Sequence, residues 1–276
     1  MSGTPPALDM KAILEDRSNR VVVCCGAGGV GKTTTAVTLG HGLARRGKEV
    51  LIVDFDPQGQ SATFLGINPS ADIYFVLASR IAGEPRGPDL TALKQRVRSS
   101  GRKNLWIIPG GTETAIAQTT IVALAKPVSY IADVLKYFTG NGLHYIILDT
   151  SPSLGGLQER AVWASDYVLA PVQPDYAAAQ GLRQLITTLT ALRQEKGWGG
   201  TLIGVLPTLY DEQTRETRAE MKDVARAFGS LLLPPIHRAT ILRECAAEGL
   251  TIYEKDPASR AAQEYEAVVD RVCSLA

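Results

Sequence analysis

A glycine-rich octapeptide near the start of the chain constrains the fold more than any other feature of the sequence. It is Gly26-Ala27-Gly28-Gly29-Val30-Gly31-Lys32-Thr33, which fits the pattern G-x-x-x-x-G-K-T. Glycines let the backbone curl so that successive N–H groups point inward at phosphate oxygens, and a following helix adds the positive end of its dipole. The octapeptide therefore predicts a phosphate-binding loop between a strand and a helix.

The residues on either side of the octapeptide have the character that such a loop requires. Residues 20–25 form a β-branched apolar run, which predicts a buried strand. Residues 33–47 predict a helix that ends at Gly47. Its inward-facing residues are expected to be Val37, Leu39, Leu43 and Ala44.

Within the loop, we expect backbone N–H groups and two side chains to bind a nucleotide. Lys32 is expected to reach the β- and γ-phosphates, and the Thr33 hydroxyl to coordinate Mg²⁺. The residues predicted to bind the nucleotide are Gly28, Gly29, Val30, Gly31, Lys32, Thr33 and Thr34.

Two further predicted strands lead into aspartates. Residues 49–54 form a buried strand that continues into Asp56, and residues 144–148 lead directly into Asp149. Parallel α/β sheets bind ligands beyond the carboxyl ends of their strands, and phosphate-loop enzymes use a strand-end aspartate to hold Mg²⁺. Asp56 is expected to position a water near the γ-phosphate, although a polar turn that caps the next helix is the alternative. The predicted catalytic residues are Lys32, Asp56 and Asp149, and the predicted metal ligands are Thr33, Asp56 and Asp149.

Strands alternate with helices along the rest of the chain. Further strands are predicted at residues 105–108, 167–172, 201–208 and 231–236, and a helix at residues 90–97. This alternation predicts an α/β fold, with a mostly parallel twisted sheet and helices on both faces. We expect residues 1–19 to form an extension, as a short helix or disordered, and residues 20–276 to form one domain.

Composition and charge exclude several classes of protein. Apolar residues make up 45% of the chain and the formal net charge is +1, so any nucleic-acid binding must come from a local patch or from dimerisation. The four cysteines form no C-x-x-C pair, which argues against a zinc or iron–sulfur site and fits a reducing cytoplasm. No apolar run approaches transmembrane length. The cluster Arg96, Arg98, Arg102 and Lys103 is interpreted as a solvated face.

Four segments together resemble the ParA-type partition ATPases, in the MinD/ParA branch of phosphate-loop enzymes. They are residues 26–34, 54–60, 149–155 and 171–176. The resemblance implies an ATPase with ATP and Mg²⁺ as cofactors, whose turnover is slow and stimulated by a partner. It also implies an ATP-bound homodimer that binds double-stranded DNA without sequence preference. Such a protein positions or segregates a cargo with an adaptor protein, in the cytoplasm and on the nucleoid when ATP is bound.

The sequence departs from the family pattern at Ala27, where the family has a lysine that crosses the dimer to the partner's nucleotide. Members of the McdA type, which position carboxysomes, are similar in lacking this lysine. Lys126 and Lys103 are candidate substitutes by elimination only.

The DNA-binding positions of the family also differ here. Gln213 and Ile241 stand where relatives commonly place DNA-contacting arginines. The nearby candidates for DNA contact are Arg215, Arg218, Arg238 and Arg243. Ordinary surface arginines are the alternative. Residues 206–208 and 236–238 lie at predicted strand ends where a base could rest.

Three other functions stay open at this stage. A MinD-like ATPase associates with the membrane through a basic amphipathic C-terminal helix. Here that helix carries acids, and we interpret Val268, Val269 and Val272 as core contacts, so we expect no membrane association. A cluster carrier or biosynthetic ATPase on the same fold and a non-hydrolysing nucleotide-dependent scaffold are the remaining alternatives.

Overall fold

A mixed β-sheet forms the centre of the structure, which is a computed structural model that describes residues 19–81, 89–139, 142–152, 156–175 and 178–275. The strands are β1 (Arg20–Cys24), β2 (Val50–Asp54), β3 (Arg98–Ser99), β4 (Leu105–Ile108), β5 (Tyr145–Asp149), β6 (Tyr167–Val172) and β7 (Thr201–Pro207). Their order across the sheet is β3-β4-β2-β5-β1-β6-β7. Only β3, paired with β4, runs antiparallel to its neighbour among these described strands.

Helices cover both faces of the sheet. They are α1 (Lys32–Arg45), α2 (Gln60–Phe64), α3 (Asp72–Ile81), α4 (Leu90–Lys94), α5 (Thr114–Ala123), α6 (Tyr130–Leu135), α7 (Leu157–Trp163), α8 (Ala178–Lys196), α9 (Arg215–Phe228), α10 (Thr240–Glu248), α11 (Ile252–Lys255) and α12 (Arg260–Cys273). The predicted α/β class, with a mostly parallel sheet between helical layers, is confirmed.

The apolar core lies in two layers because successive side chains of a strand point to opposite faces. Val21 and Val23 face a core that includes Leu182 of α8. Val22 faces the other core with Leu39 of α1. The side chains predicted to face inward are buried, namely Val37, Leu39, Leu43, Ala44, Val268, Val269 and Val272.

The strand register places distant residues side by side at the carboxyl edge of the sheet. Cys24 at the end of β1 is the partner of Asp149 at the end of β5. Asp54 at the end of β2 is the partner of Asp149 on its other side. The loops that follow β1, β2 and β5 therefore leave the sheet next to one another.

Two sequence predictions of secondary structure are wrong. The helix predicted at residues 90–97 ends at Lys94, and Arg98–Ser99 forms an edge strand instead. The strand predicted at residues 231–236 is reduced to an isolated bridge between Leu232 and Val205. Pro234 and Pro235 follow that bridge, and proline has no N–H to donate to a strand ladder.

The interpretation of the basic cluster as a solvated face is wrong for Arg102, whereas Arg98 and Lys103 are exposed. Arg96 and Arg98 pair with the buried Asp72. The side chain of Arg102 is only 9% exposed and pairs with Glu254 at 2.7 Å.

The structure bears on the predicted N-terminal extension and on the expected lack of membrane-spanning helices. Apart from Asn19, the predicted extension at residues 1–19 lies outside the described residues. No helix in the described ranges is long and apolar enough to cross a membrane.

Candidate functional site

The loop between β1 and α1 has the backbone that its glycines permit. Gly29 and Gly31 have φ of 75° and 77°, in the left-handed region that L side chains rarely adopt. A Cβ on Gly26 would lie 2.6 Å from the carbonyl oxygen of Pro171, so the loop leaves β1 in close backbone contact with β6. The glycines at these three positions are therefore required by geometry.

Lys32 is held at the start of α1 and its ammonium group is already oriented. Its Nζ donates to the carbonyl oxygen of Ala27 at 2.7 Å, and the residue is only 7% exposed. Burial lowers the pKa of Lys32, while the charge of Asp149 raises it. An ammonium group has three donors, so two stay available for the oxygens of a ligand.

Asp149 and Asp54 are two fully buried carboxylates at adjacent strand ends, and one serine contacts both. Ser61 donates from Oγ to Asp149 Oδ2 at 2.8 Å and from its backbone N–H to Asp54 Oδ2 at 3.1 Å. The backbone N–H of Asp56 donates to Asp54 Oδ1 at 2.9 Å. Asp149 Oδ1 is buried and has no hydrogen-bond partner within the described structure.

The electrostatics of these carboxylates favour a bound cation. Burial raises the pKa of Asp149 to about 6, while the neighbouring Thr33 and Ser61 hydroxyls lower it. Burial also raises the pKa of Asp54 well above its usual range, and the charge of Asp149 adds to that shift. A cation stabilises ionised carboxylates, and Asp149 Oδ1 is a free acceptor for the ion or its water. The residues present therefore fit Mg²⁺.

Asp56 lies in the same loop but in a different environment from Asp54. It is half-buried, and its Oδ1 accepts from the backbone N–H of Gln58 at 2.9 Å, which is the geometry of an Asx turn. The next helix, α2, has Gly59 at its N-cap position and no side-chain cap. The alternative that Asp56 caps the next helix is therefore wrong, although its predicted polar turn is present.

A threonine connects the phosphate loop to the end of β7. Thr208 Oγ1 donates to the carbonyl oxygens of Val30, at 2.7 Å, and Val172, at 3.2 Å. The backbone N–H of Thr208 also donates to Val172 O at 2.8 Å. The loop is thus tied to both β6 and β7.

A cavity of about 390 Å³ opens beside the phosphate loop. Its lining includes Gly31, Thr34, Phe64, Thr208, Leu209, Ile236, Arg238, Ala239, Leu242, Arg243, Ala246 and Tyr265. The lining contains parts of both segments where a base was expected to rest. Its size and mixed lining suit a nucleoside.

The four candidate DNA-contacting arginines fall into two groups. Arg238 and Arg243 line the cavity beside the phosphate loop. Arg215 and Arg218 lie exposed on α9, where Arg218 Nη1 donates to the carbonyl oxygen of Glu212 at 3.3 Å.

The two lysines considered as substitutes at the Ala27 position lie in different places. Lys103 lies two residues before β4, whose first residue pairs with Val50 at the amino end of β2. Lys103 is therefore at the sheet edge opposite to the phosphate loop. Lys126 follows α5, and its carbonyl oxygen accepts a hydrogen bond from Arg160.

Sequence reasoning assigned no role to two residues of the site, Asp54 and Ser61, and it placed Thr208 beside the base without its contact to the loop. Asp54, Ser61 and Thr208 contact the site's carboxylates or its loop from separate segments. Asp54 had one available signal, because it ends a buried strand as Asp149 does. The two hydroxyl residues carry no local pattern that distinguishes them from other serines and threonines.

Comparison with known proteins agrees with this geometry. A family model described as an AAA domain (AAA_31) matches residues 19–197. The chromosome-partitioning ATPase Soj of Thermus thermophilus is 32% identical over 261 residues, which cover 94% of this chain and 97% of Soj.

Two solved structures show the same fold. The ATP complex of a McdA variant from Cyanothece has a TM-score of 0.80 and 20% identity, and covers 94% of this chain and 98% of that one. Cobyrinic acid a,c-diamide synthase from Mycobacterium smegmatis, with an ATP analogue and magnesium, has a TM-score of 0.74 and 28% identity, and covers 92% and 94%.

The fold and the site together define a phosphate-loop enzyme that acts on a nucleoside triphosphate. The chain belongs to the ParA/MinD-type family of phosphate-loop ATPases. It is an ATPase of the positioning class, and its cofactors are ATP and Mg²⁺. The resemblance noted in the sequence is thereby confirmed.

Proposed function

We propose that the chain binds Mg²⁺–ATP at the carboxyl edge of its sheet, forms a homodimer in that state and binds DNA without sequence preference. In this proposal it positions or segregates a cargo with the help of an adaptor protein, and it occupies the nucleoid in the cytoplasm while ATP is bound. The observation that carries the nucleotide site is the buried Asp149 Oδ1, which has no partner in the described structure and lies near the oriented Lys32.

The residues of the phosphate loop take the roles expected from their positions. Backbone N–H groups from Gly28 to Thr34 bind the phosphates, and Lys32 donates to the terminal phosphate oxygens. Thr33 and Asp149 hold the metal ion, and Asp56 orients the attacking water and supports the metal. The bound Mg²⁺ supplies positive charge that stabilises the phosphate oxygens during hydrolysis. The adenosine occupies the cavity of about 390 Å³ beside Gly31.

The DNA contact is assigned first to Arg215 and Arg218. Both are exposed, whereas Arg238 and Arg243 line the cavity where adenosine is placed. The chain has a formal net charge of only +1, so one copy has a weak overall field for DNA. A homodimer brings two copies of the arginine pair together, and each phosphate contact adds to the salt dependence of binding.

The MinD-like alternative is disfavoured by the position of α12. Its apolar side chains, including Tyr265, Val268 and Val269, are buried in the core. Arg46 of α1 also pairs with Glu266 and Asp270 on this helix, at 2.5 and 2.6 Å. A helix held in this way has no free apolar face for a bilayer surface.

A gel shift on random-sequence duplex DNA at fixed low salt tests this function. We compare Mg²⁺–ATP, Mg²⁺–ADP and no nucleotide, with Lys32→Ala as the nucleotide-site variant. Arg215→Glu with Arg218→Glu tests the DNA surface, and Arg183→Glu on the exposed side of α8 is the matched charge control.

The proposal expects a shift with ATP only, lost in Lys32→Ala and in the double arginine variant and kept in Arg183→Glu. Loss of the shift only in Arg238→Ala or Arg243→Ala would move the DNA contact to those residues. A protein that binds ATP but shifts no DNA with any nucleotide would overturn the DNA part of the proposal.

A further inference from the structure

A second cavity of the described structure, of about 330 Å³, opens at the amino edge of the sheet. Its lining includes Glu49, which directly precedes β2, and Leu51, the second residue of that strand. Trp106, Tyr137 and Phe138 add three aromatic rings to its wall. The nucleotide site lies at the opposite, carboxyl edge, so this cavity is a separate and largely aromatic site.

Three polar groups in the lining have no partner among the described residues. The Glu49 carboxylate and the Lys94 ammonium group form no ion pair or hydrogen bond there. The indole N–H of Trp106 donates to none of these residues either, whereas those of Trp163 and Trp198 donate to backbone carbonyl oxygens at 2.8 and 3.0 Å. An indole N–H usually finds an acceptor when its ring is buried. The cavity thus offers an acid, a base and a donor around an apolar centre.

The chain that precedes the described structure is long enough to reach this cavity. The structure describes the chain from Asn19, and the backbone N–H of Arg20 donates to the carbonyl oxygen of His144 at 3.0 Å. The backbone N–H of His144 in turn donates to the carbonyl oxygen of Glu49 at 2.8 Å. The described chain therefore begins two strand spacings, about 10 Å, from a residue of the lining. Residues 10–18 span up to about 30 Å when extended, which exceeds that distance.

The sequence of this preceding segment complements the cavity. Asp9-Met10-Lys11 places an apolar side chain between an acid and a base. The carboxylate at position 9 has the charge to pair with Lys94, and the ammonium group at position 11 has the charge to pair with Glu49. Methionine suits the aromatic wall, because a thioether is flexible and makes favourable contacts with aromatic rings. The segment therefore matches the cavity in both charge and apolar character.

We propose that residues 7–17 of this chain occupy the cavity of the same molecule, with Met10 between the aromatic rings. Ile13 and Leu14 follow Met10 at the i+3 and i+4 spacing, so in a helix they extend its apolar face along the lining. The cavity is thereby an intramolecular docking site that holds the amino-terminal extension at the edge of the sheet away from the nucleotide. This inference goes beyond the proposed function and does not depend on it.

Proteolysis of the full chain by thermolysin tests this assignment. Thermolysin cleaves on the amino side of leucine and isoleucine, so the initial rate of cleavage within residues 12–14 reports how often the segment is undocked. A synthetic peptide of residues 5–19 with the same sequence as each variant gives the cleavage rate of the unprotected segment. The disrupting variants are Met10→Asp and Trp106→Ala. The matched control is Trp163→Ala, a half-buried tryptophan outside the cavity, and circular dichroism confirms that each variant is folded.

We expect the segment to be cleaved at least about tenfold more slowly in the full wild-type chain than in the peptide, and Trp163→Ala to keep this protection. Met10→Asp and Trp106→Ala are expected to reduce the difference to within about twofold, because each removes the apolar contact. Lys11→Glu and Glu49→Lys are each expected to lower the protection about threefold, and the double variant to regain most of it. Such a rescue isolates the charge pair, because a second substitution would not repair a folding defect caused by the first.

Three results would overturn the inference. Equal cleavage rates in the wild-type chain and the peptide would show that the segment is not docked. Protection that is kept in both Trp106→Ala and Glu49→Lys would show that the segment binds elsewhere. Protection that rises with protein concentration would show that the segment of a second copy occupies the cavity. ATP hydrolysis is measured on the same samples and is expected to be unchanged in Met10→Asp, so failure of this inference is distinguishable from failure of the proposed function.

Discussion

Ser61 Oγ lies 2.8 Å from Asp149 Oδ2, across 88 positions of sequence. The Ser61 hydroxyl donates its hydrogen to Oδ2 of Asp149. This bond orients the carboxylate, so that Oδ1 points away from Ser61. Because Ser61 also donates its backbone N–H to Asp54 Oδ2, the loop after β2 is attached to the end of β5. Ser61 is therefore a positioning residue for the metal site.

Ser61→Ala is expected to raise the Mg²⁺ concentration for half-maximal ATPase activity about tenfold, because residues that orient a metal ligand typically contribute this much to metal affinity. The rate at saturating Mg²⁺ is expected to fall much less. Steady-state kinetics over a Mg²⁺ titration measure both quantities. Ser165→Ala is the control, since Ser165 is buried and donates its hydroxyl only to a backbone carbonyl, that of Val162, at 2.7 Å. An unchanged Mg²⁺ requirement in Ser61→Ala would contradict the positioning role.

Asp149→Asn is expected to abolish ATP hydrolysis and to stabilise the nucleotide-free protein. The pKa of Asp149 is raised from 3.8 to about 6 in the folded chain, so ionisation of the buried carboxyl opposes folding above about pH 6. At pH 7.5 the asparagine variant is therefore expected to have a free energy of unfolding about 1–3 kcal/mol higher than the wild type. This difference is expected to disappear below about pH 4.

Urea unfolding without nucleotide measures this gain, and Asp223→Asn on the exposed side of α9 is the control. With Mg²⁺–ATP present, the wild-type chain is expected to gain more thermal stability than Asp149→Asn. If Asp149→Asn is less stable than the wild type at pH 7.5, the prediction is wrong. Favourable interactions of the ionised carboxylate would then outweigh the cost of burying its charge.

Gly26→Ala is expected to destabilise the protein by about 2 kcal/mol and to weaken nucleotide binding, because its Cβ would lie 2.6 Å from Pro171 O and the backbone must shift. Gly181→Ala in α8 is the opposite case, since nothing lies within 4 Å of its added Cβ. That change is expected to stabilise by about 0.5–1 kcal/mol, because alanine loses less backbone entropy than glycine in a helix. Urea unfolding measures the change in the free energy of unfolding for both variants. Equal changes in Gly26→Ala and Gly181→Ala would contradict the prediction.

His41→Asn is expected to reduce the loss of stability on acidification. Burial lowers the pKa of His41 from 6.5 to about 4, and the charges of Arg102 and Arg45 oppose its protonation while Glu254 favours it. A histidine with a lowered folded pKa contributes full stability above pH 6.5, and this contribution is lost as the pH falls towards 4. Between pH 6.5 and 4.5 the wild-type chain is expected to lose about 2 kcal/mol more than the variant.

The measurement is urea unfolding at half-unit steps of pH. His144→Asn is the control, because its Nδ1 accepts from the backbone N–H of Glu49 in an exposed setting. Parallel stability curves for wild type and His41→Asn would show that His41 is not the titrating group.

The phosphate loop and the strand-end Asp149 could be predicted because their signals are local. A glycine pattern between an apolar run and a helical pattern specifies strand, loop and helix within about 25 residues. The strand register that places Asp54 beside Asp149 is a tertiary property, set by the packing of β2 against β5. No spacing in the sequence reports it, so the second buried carboxylate was not assigned.

The side chains that connect segments were beyond sequence reasoning for a related reason. Thr208 donates to Val30 O across 178 positions, and Arg102 pairs with Glu254 across 152. A threonine after an apolar strand looks like a turn residue, and an arginine in a basic run looks solvated. Only the fold shows that each is satisfied by a distant partner.

The position of β1 in the sheet has a consequence for how the chain is synthesised and folds. β1 lies between β5 and β6, so the strand that carries the phosphate loop pairs only with segments made more than 100 residues later. Contacts of such long sequence separation form late, because the loop closure entropy must be overcome first. A nascent chain that ends before Tyr167 contains the whole glycine motif but lacks the β6 carbonyl oxygen, that of Leu169, which accepts from the Cys25 N–H after β1. The glycine motif is translated early, but it is therefore among the last parts of the molecule to become a binding site.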